Sequence, residues 1–325
     1  MTSIKLACRA LVAALLVVVS APQVQAQNTF SFVSSTGSDG NPCTAASPCA
    51  TLSQALSTTI SGGQISCLDA TAITEFNFQP TPNSSFTIDC TGVVATSTVG
   101  TTGAMLQLAN SDQVVKIRNL TFNGQTSGGG GAIEVRGSGT LIIENCVFEN
   151  FANGTALEID PSDGAVNLVI INSRISNNAA GVLIRPLVIG GGINMKPSVN
   201  ATFDHVTVAQ NSGGGIHTDS SDGPITVDIA DSTISDNASN GFNVTSGTGP
   251  HNNMVNIIRT TIANNGLVGI QSGGSNAAVL LNASTLDSNT SGATFVNNGS
   301  RVLSYGNNQI IGGAGSGFTK TITLQ

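Results

Sequence analysis

Glu134 and Glu158 close two similar runs, AIE and ALE, 24 residues apart. If the chain coils with that period, the two carboxyl groups face outward on adjacent turns. Neighbouring strands lie ~4.8 Å apart, so the carboxyls would be about 5 Å apart. Like charges that close push one pKa upward, and the separation suits the acid and nucleophile of a retaining glycosidase. The same outward column continues through Leu183, His217, Asn243, Gln271 and Thr294. His217 falls two coils beyond Glu158, roughly 10 Å away and out of hydrogen-bond reach. Arg185 and Lys196 lie in an unusually long segment, RPLVIGGGINMKPSVN (185–200), and are the basic side chains best placed to serve an elimination. The plainer alternative is a pair of solvated surface glutamates beside a tolerated insertion, and the residue types favour that alternative.

A second column runs Asn119, Asn145, Asn172, His205, Asp231 and Arg259. Its last three members would form an acid–base cluster beside the long loop, or an exposed charge ladder joining coils. Two turn strings, DPSDG (160–164) and DSSDG (219–223), offer Asp160 with Asp163 and Asp219 with Asp222 as possible Ca ligands. The two strings lie two coils apart and cannot share an ion, and Asp, Ser, Pro and Gly also make ordinary turns. No Cys/His spacing points to another metal.

These columns presuppose a repeat, and the chain has one. In DSTISDNASNGFNV (231–244) an apolar anchor is followed three residues later by Asn and then by Gly and a second short strand. The anchors Phe122, Phe148, Ile175, Val208, Ile234, Ile262, Leu286 and Ile310 are spaced by 26, 27, 33, 26, 28, 24 and 24 residues. Such a period marks a solenoid whose coils carry loops. Asn178, Asn211, Asn237, Asn265 and Asn289 would stack as a ladder of side-chain amides, each donating to the next. The glycines that follow, Gly181, Gly215, Gly241, Gly269 and Gly292, are expected to supply the positive φ of a tight corner. Runs such as LVIINS (168–173) and VNIIRT (255–260) are β-branched and partly alternating, so each coil reads as three short strands.

Composition agrees. The chain has 325 residues, 38 of them Gly, with 9% charged and 40% hydrophobic side chains and a formal net charge of −7. Mean hydropathy of +0.20 argues against disorder. No basic stripe exists, which excludes nucleic acid as a partner class. The acidic balance repels acidic polysaccharides at long range.

Residues 1–26 read as a secretory signal, with Lys5 and Arg9, an apolar run from Leu11 to Val19, and a cleavage site at Val24-Gln25-Ala26. The apolar run is too short to span a bilayer, so no transmembrane segment is expected after cleavage. The mature chain would carry 9 basic and 18 acidic residues. Residues 27–63 read as an N-terminal strand and capping helix, the helix running from about Thr51 to Thr59. Residues 64–325 read as the solenoid, about ten coils long and irregular at first. FTKTITLQ closes it, too little chain for a membrane barrel. Cys43 and Cys49 flank a short loop and are expected to pair in an oxidising compartment. Cys67 and Cys90, 23 residues apart, could bridge adjacent coils, leaving Cys146 buried and unpaired.

The Asn-turn-Gly repeat, with the strings GSDGNPCT…PCATLSQAL and GGQISCLDA before it, resembles the bacterial secreted right-handed parallel β-helix proteins of the pectin-lyase-like superfamily. That resemblance covers residues 28–325 and implies an all-β, right-handed parallel β-helix. It is weak for activity, because the fold carries lyases, hydrolases, epimerases and inert stalks. The catalytic strings NTD, DD, GHG and RIK of polygalacturonases, WxDH of pectate lyases and DPHD of mannuronan epimerases do not occur. The expectation is therefore an exported, non-catalytic extracellular or envelope scaffold with possible carbohydrate binding. A polysaccharide lyase or glycoside hydrolase is the alternative, with Glu134, Glu158, His217, Arg185 and Lys196 as its candidate residues.

Overall fold

A computed structural model describes residues 27–69, 72–73, 84–93, 95–98, 104–124, 130–188, 196–313 and 315–322. The export signal expected at 1–26 lies outside the described residues. Every pairing between named strands is parallel and joins one coil to a neighbour. One coil shows the construction: Ala165–Ile171 on the first face, Arg174–Ser176 on the second and Ala180–Ile184 on the third. The next coil repeats it with Ser198–Asp204, Thr207–Ala209 and Ile216–Asp219. The second faces stack into a 10-stranded sheet. The first and third faces join into one 18-stranded sheet, because Ile133–Glu144 runs through both without a break.

Alternation explains which way each side chain points. On Ala165–Ile171, Val166, Leu168 and Ile170 are buried while Asn167 is exposed. Stacking then places like on like. Phe122 pairs in register with Phe148, and so on through Ile175, Val208, Ile234, Ile262, Leu286 and Ile310, as the spacing predicts. The Phe122 and Phe148 rings are parallel, with centroids 4.7 Å apart.

The expected amide ladder is present and buried. Asn178, Asn211, Asn237 and Asn265 each donate Nδ2 to Oδ1 of the next asparagine, at 3.1, 2.8, 3.0 and 2.8 Å. Each also gives its backbone N–H to that same oxygen. The second Nδ2 hydrogen reaches back to an anchor carbonyl, as from Asn237 to Val208. Phe151 takes the ladder position one coil earlier and ends the side-chain series, giving only its backbone N–H to Asn178.

The glycines play a different part from the expected one. Of the five, only Gly292 has positive φ, at 105°. The left-handed residues at this corner are those just before the ladder: Asn177, Gln210, Asp236, Asn264 and Ser288. Gly181, Gly215, Gly241 and Gly269 are required for space. A Cβ on Gly241 would lie 2.7 Å from Asn265 Nδ2 and 2.8 Å from the Gly269 carbonyl. The absent side chain is what lets the ladder amide approach.

A second ladder, of hydroxyls, runs inside the turn between the first and second faces. Ser173, Ser232, Thr260 and Ser284 accept from the backbone N–H of Cys146, Val206, Ser232 and Thr260 respectively. Cys146 occupies this column as a free, buried thiol, and burial pushes its pKa up to about 12.

At the N-terminus, Asn28–Val33 pairs with Thr59–Cys67, and that strand pairs onward with Phe86–Asp89. Thr59–Cys67 runs across the expected boundary at residue 63, so the N-terminal module and the solenoid share a sheet. Between these strands lies the helix Leu52–Thr58, with Thr51 Oγ1 accepting from the Gln54 N–H as its N-cap. Leu52, Ala55 and Thr58 are its buried residues. Cys43–Cys49 and Cys67–Cys90 are disulfides. The second joins successive coils. No helix among the described residues is long and apolar enough to cross a membrane.

Candidate functional site

The third face positions the candidate residues. Its strands place Ile133, Leu157, Val182, Ile216, Phe242 and Ile270 inward, so period-two alternation turns the next residue of each outward. Those residues are Glu134, Glu158, Leu183, His217, Asn243 and Gln271, and they pair in register in that order. Gln271 pairs next with Phe295 and not with Thr294. Thr294 is buried, because the final strand enters one residue out of step with the sequence alignment. Phe295 is 45% exposed.

Two residues further along each strand stands a column the sequence reading did not assemble: Arg136, Asp160, Arg185 and Asp219. Its signs alternate. Arg136 donates to Glu134 and lies 3.8 Å from Asp160 Oδ2. Arg185 donates to Glu158 Oε1 at 3.1 Å. The signal was available in the strings Glu134-x-Arg136, Glu158-x-Asp160, Leu183-x-Arg185 and His217-x-Asp219, since alternation brings both members of each string to one surface. What hid it was the reading of Asp160 and Asp219 as turn residues.

The carboxyl that the surroundings push up is Asp160, to about 7. Desolvation is the largest cause and repulsion by Glu134 the next, with Arg136 opposing both. The side chain is 3% exposed, and Oδ1 has no hydrogen-bond partner among the described residues. Burial likewise pushes His217 below its ordinary value. Asp219 opposes that shift and Arg185 adds to it, so the ring is neutral at pH 7.

His217 lines a cavity of about 230 Å³ that spans four coils of this face. Thr155, Ser239, Asn240 and Asn243 contribute to its wall, with Leu183 and Ala180 giving it an apolar side and Val182 and Ile216 lying beneath. The Asn243 Oδ1 and Arg185 Nε atoms are buried without partners among the described residues. Glu134, Glu158, Arg185 and His217 therefore share one face. Lys196 does not join them: it is exposed and makes no ion pair among the described residues. Residues 189–195 of its loop lie outside the described residues.

The second column, read as outward positions on successive coils, sits in a turn. Asn119, Asn145, Asn172, His205, Asp231 and Arg259 all have φ between 48° and 55°. Asn tolerates this left-handed region best, and the later coils place charged residues there. Arg259 grips Asp231 through Nε and a terminal nitrogen at 2.7 and 2.6 Å, which holds the Asp231 carboxyl below its usual range. His205 Nδ1 lies 2.8 Å from Asp204 Oδ1. Asp204, His205 and Asp231 bring ligand atoms within 4.8 Å of one another, though Arg259 already engages both Asp231 oxygens. The cluster is not beside the long loop. It follows the C-terminal end of Ser198–Asp204, whereas the loop feeds the N-terminal end. Of the Asp pairs in the turn strings, Asp222 accepts from the Val188 N–H at 3.2 Å and Asp219 from the Ser221 N–H and hydroxyl. Asp160 is drawn into the third-face cluster.

Residues 104–256 match the family described as the right handed beta helix region. No curated protein matches the chain significantly. Similar solved structures include a rhamnogalacturonan lyase, at 14% identity and a TM-score of 0.48 over 80% of this chain and 74% of that one. A pectate lyase has 16% identity and a TM-score of 0.47 over 92% and 78%. The A-module of the Azotobacter vinelandii mannuronan C-5 epimerase has 14% identity and a TM-score of 0.43 over 81% and 89%. At such identities and TM-scores none of the three assigns a ligand. The stacked parallel coils and the match over residues 104–256 make this protein a right-handed parallel β-helix.

Proposed function

We propose that this protein is an exported β-helix that binds polysaccharide along its third face and serves as an extracellular or envelope scaffold. One observation carries the reading. The outward column from Glu158 to Gln271 is half-buried, ends in two amides and is continuous with a cavity whose wall includes Asn243, whose Oδ1 is a buried acceptor without a partner among the described residues. Buried polar atoms without partners are rare in folded proteins and commonly mark a missing ligand or water. The two disulfides fit an oxidising compartment, in line with the export signal read in residues 1–26. Glu134 and Glu158 are each held by an arginine, which gives both carboxylates a structural role in this face.

A catalytic reading rests on Asp160, a carboxyl that titrates near neutrality beside two glutamates. Such a group can donate a proton to a leaving oxygen. Its burial opposes this role, since the acid must reach the bond it protonates. One experiment separates the two readings. The purified protein is incubated with acidic and neutral polysaccharides, with and without Ca, and followed for new reducing ends and for the ultraviolet absorbance of unsaturated products. Release of either product, abolished by Asp160→Asn or Glu158→Gln, overturns the scaffold reading. Binding without release supports it.

A further inference from the structure

We propose that the cavity beside His217 selects one uncharged pyranose ring of a neutral glycan and rejects uronate rings. This rests on the polysaccharide-binding reading above and narrows it to a ligand class. Three independent features of the site point the same way.

The first is the absence of a usable cation. Binding a ring carboxylate calls for a charge-assisted partner, above all an arginine fork. No residue of the cavity wall is cationic. Arg136 and Arg185 donate to Glu134 and Glu158; Arg185 keeps an Nε unpartnered among the described residues, but that atom is buried and Arg185 is not part of the cavity wall. Elsewhere Lys116 and Arg118 engage Glu144, Arg174 engages Glu149 and Arg259 engages Asp231, and Lys196, Arg301 and Lys320 are not in the cavity wall. The cavity histidine is pushed toward its neutral form.

The second is the sign of the surroundings. Glu158 stands one strand, ~4.8 Å, from Leu183 of the wall, and Asp219 follows two residues after His217. Both lie inside the ~8 Å over which physiological salt leaves charges unscreened. Glu158 is balanced by Arg185, so Asp219 is the carboxylate whose charge a uronate entering here would meet.

The third is the chemistry of the wall. Leu183 and Ala180, both partly exposed, offer an apolar surface to the C–H face of a ring. Thr155, Ser239, His217 and Asn243 offer groups that pair with hydroxyls, and hydroxyls both donate and accept. A hydroxyl is what Asn243 Oδ1, an unpartnered acceptor, lacks. The volume of about 230 Å³ is below the ~300–1,000 Å³ of sites for drug-sized ligands, and it suits one ring with the chain continuing along the column.

The test is calorimetric titration of the purified full-length protein. The probes are neutral oligosaccharides (glucan, xylan, mannan and N-acetylglucosamine oligomers) and galacturonate and mannuronate oligomers of equal length, at low and high NaCl. Asn243→Ala and Leu183→Lys are titrated beside the parent after each is shown to keep its thermal transition. The expected result is that at least one neutral series binds with an affinity changing less than about twofold with salt, with uronates at least tenfold weaker. Asn243→Ala weakens the neutral ligand about tenfold, and Leu183→Lys, which puts a cation at the wall, shifts preference toward uronates. Uronates binding as tightly as neutral sugars, with affinity falling steeply in salt, overturn the inference but leave polysaccharide binding standing. Neutral binding indifferent to both substitutions moves the site elsewhere and also overturns it. A folded protein that binds no glycan of the panel removes the polysaccharide reading and the inference together.

Discussion

Asn237 donates its side-chain amide to Oδ1 of Asn265 at 3.0 Å while accepting on its own Oδ1 from Asn211 at 2.8 Å. Both groups are buried, and the same Oδ1 also takes the Asn211 backbone N–H. Replacing Asn237 with Ala strands the Asn211 backbone N–H and its side-chain amide at once, and removes one hydrogen bond to the Val208 carbonyl. Each orphaned buried group costs about 1–3 kcal/mol. Urea unfolding of Asn237→Ala is expected to show a loss of about 2–4 kcal/mol, with Asn237→Leu no better despite its volume.

Gly241 is bound to this ladder by space. Gly241→Ala drives a Cβ to within 2.7 Å of Asn265 Nδ2 and 2.8 Å of Ile262 Cγ2. Overpacking of this kind costs about 1–3 kcal/mol. The cost should shrink in an Asn265→Ala background, because the clashing amide is gone. A double-mutant cycle in urea measures that coupling.

Asp160 gives stability a pH dependence of definite sign. Its folded pKa, about 7, lies above the unfolded value near 3.8. Between these limits the folded state holds a proton that the unfolded state has lost, so stability falls as pH rises through this window. Below pH 4 the group makes no difference. Asp160→Asn should flatten the melting temperature between pH 4 and 7 and raise it by about 1–3 °C at pH 8. An Asp160→Asn variant melting lower than the parent at pH 8 would mean that the carboxylate is stabilised by its arginines more than burial disfavours it.

Cys146 occupies a column that Ser and Thr fill on other coils, so Cys146→Ser should cost less than about 1 kcal/mol. With its thiol pushed to about 12 and buried, the native protein should resist thiol reagents at pH 8 and react with one equivalent after unfolding. Removing Cys67–Cys90 by paired Ser substitution is a larger change. The closed loop of 23 residues implies a loss of about 3 kcal/mol.

The solenoid was legible because its repeat is written in residue types that cannot be exchanged freely. Anchor, ladder asparagine and glycine recur together, and every anchor pairs with its predicted neighbour. The reason for the glycines was not legible. A corner that needs positive φ and one that needs an empty Cβ position both ask for Gly, and only the ladder amide packed against it distinguishes them. The hydroxyl ladder was missed because Ser and Thr after a strand look like ordinary turn residues. Glu134, Glu158, Arg185 and His217 were brought to one face by alternation, which a sequence carries. Asp160 was read as a turn residue, because its burial comes from neighbouring coils and the arginines over it. Lys196 fell away from the cluster because a loop has no period to fix it.

The constant register between coils makes length a separable variable. Ile225 pairs with Asn253 as Val199 pairs with Ile225, so Ile225–Asn252 is one complete interchangeable unit. Excising it would bring Pro224 to Asn253 with all three faces and the amide ladder still in phase. Duplicating it would add one rung, ~4.8 Å of groove and one more outward side chain. A lineage carrying this architecture can thus change the length of its third face by unequal recombination, without redesigning a core.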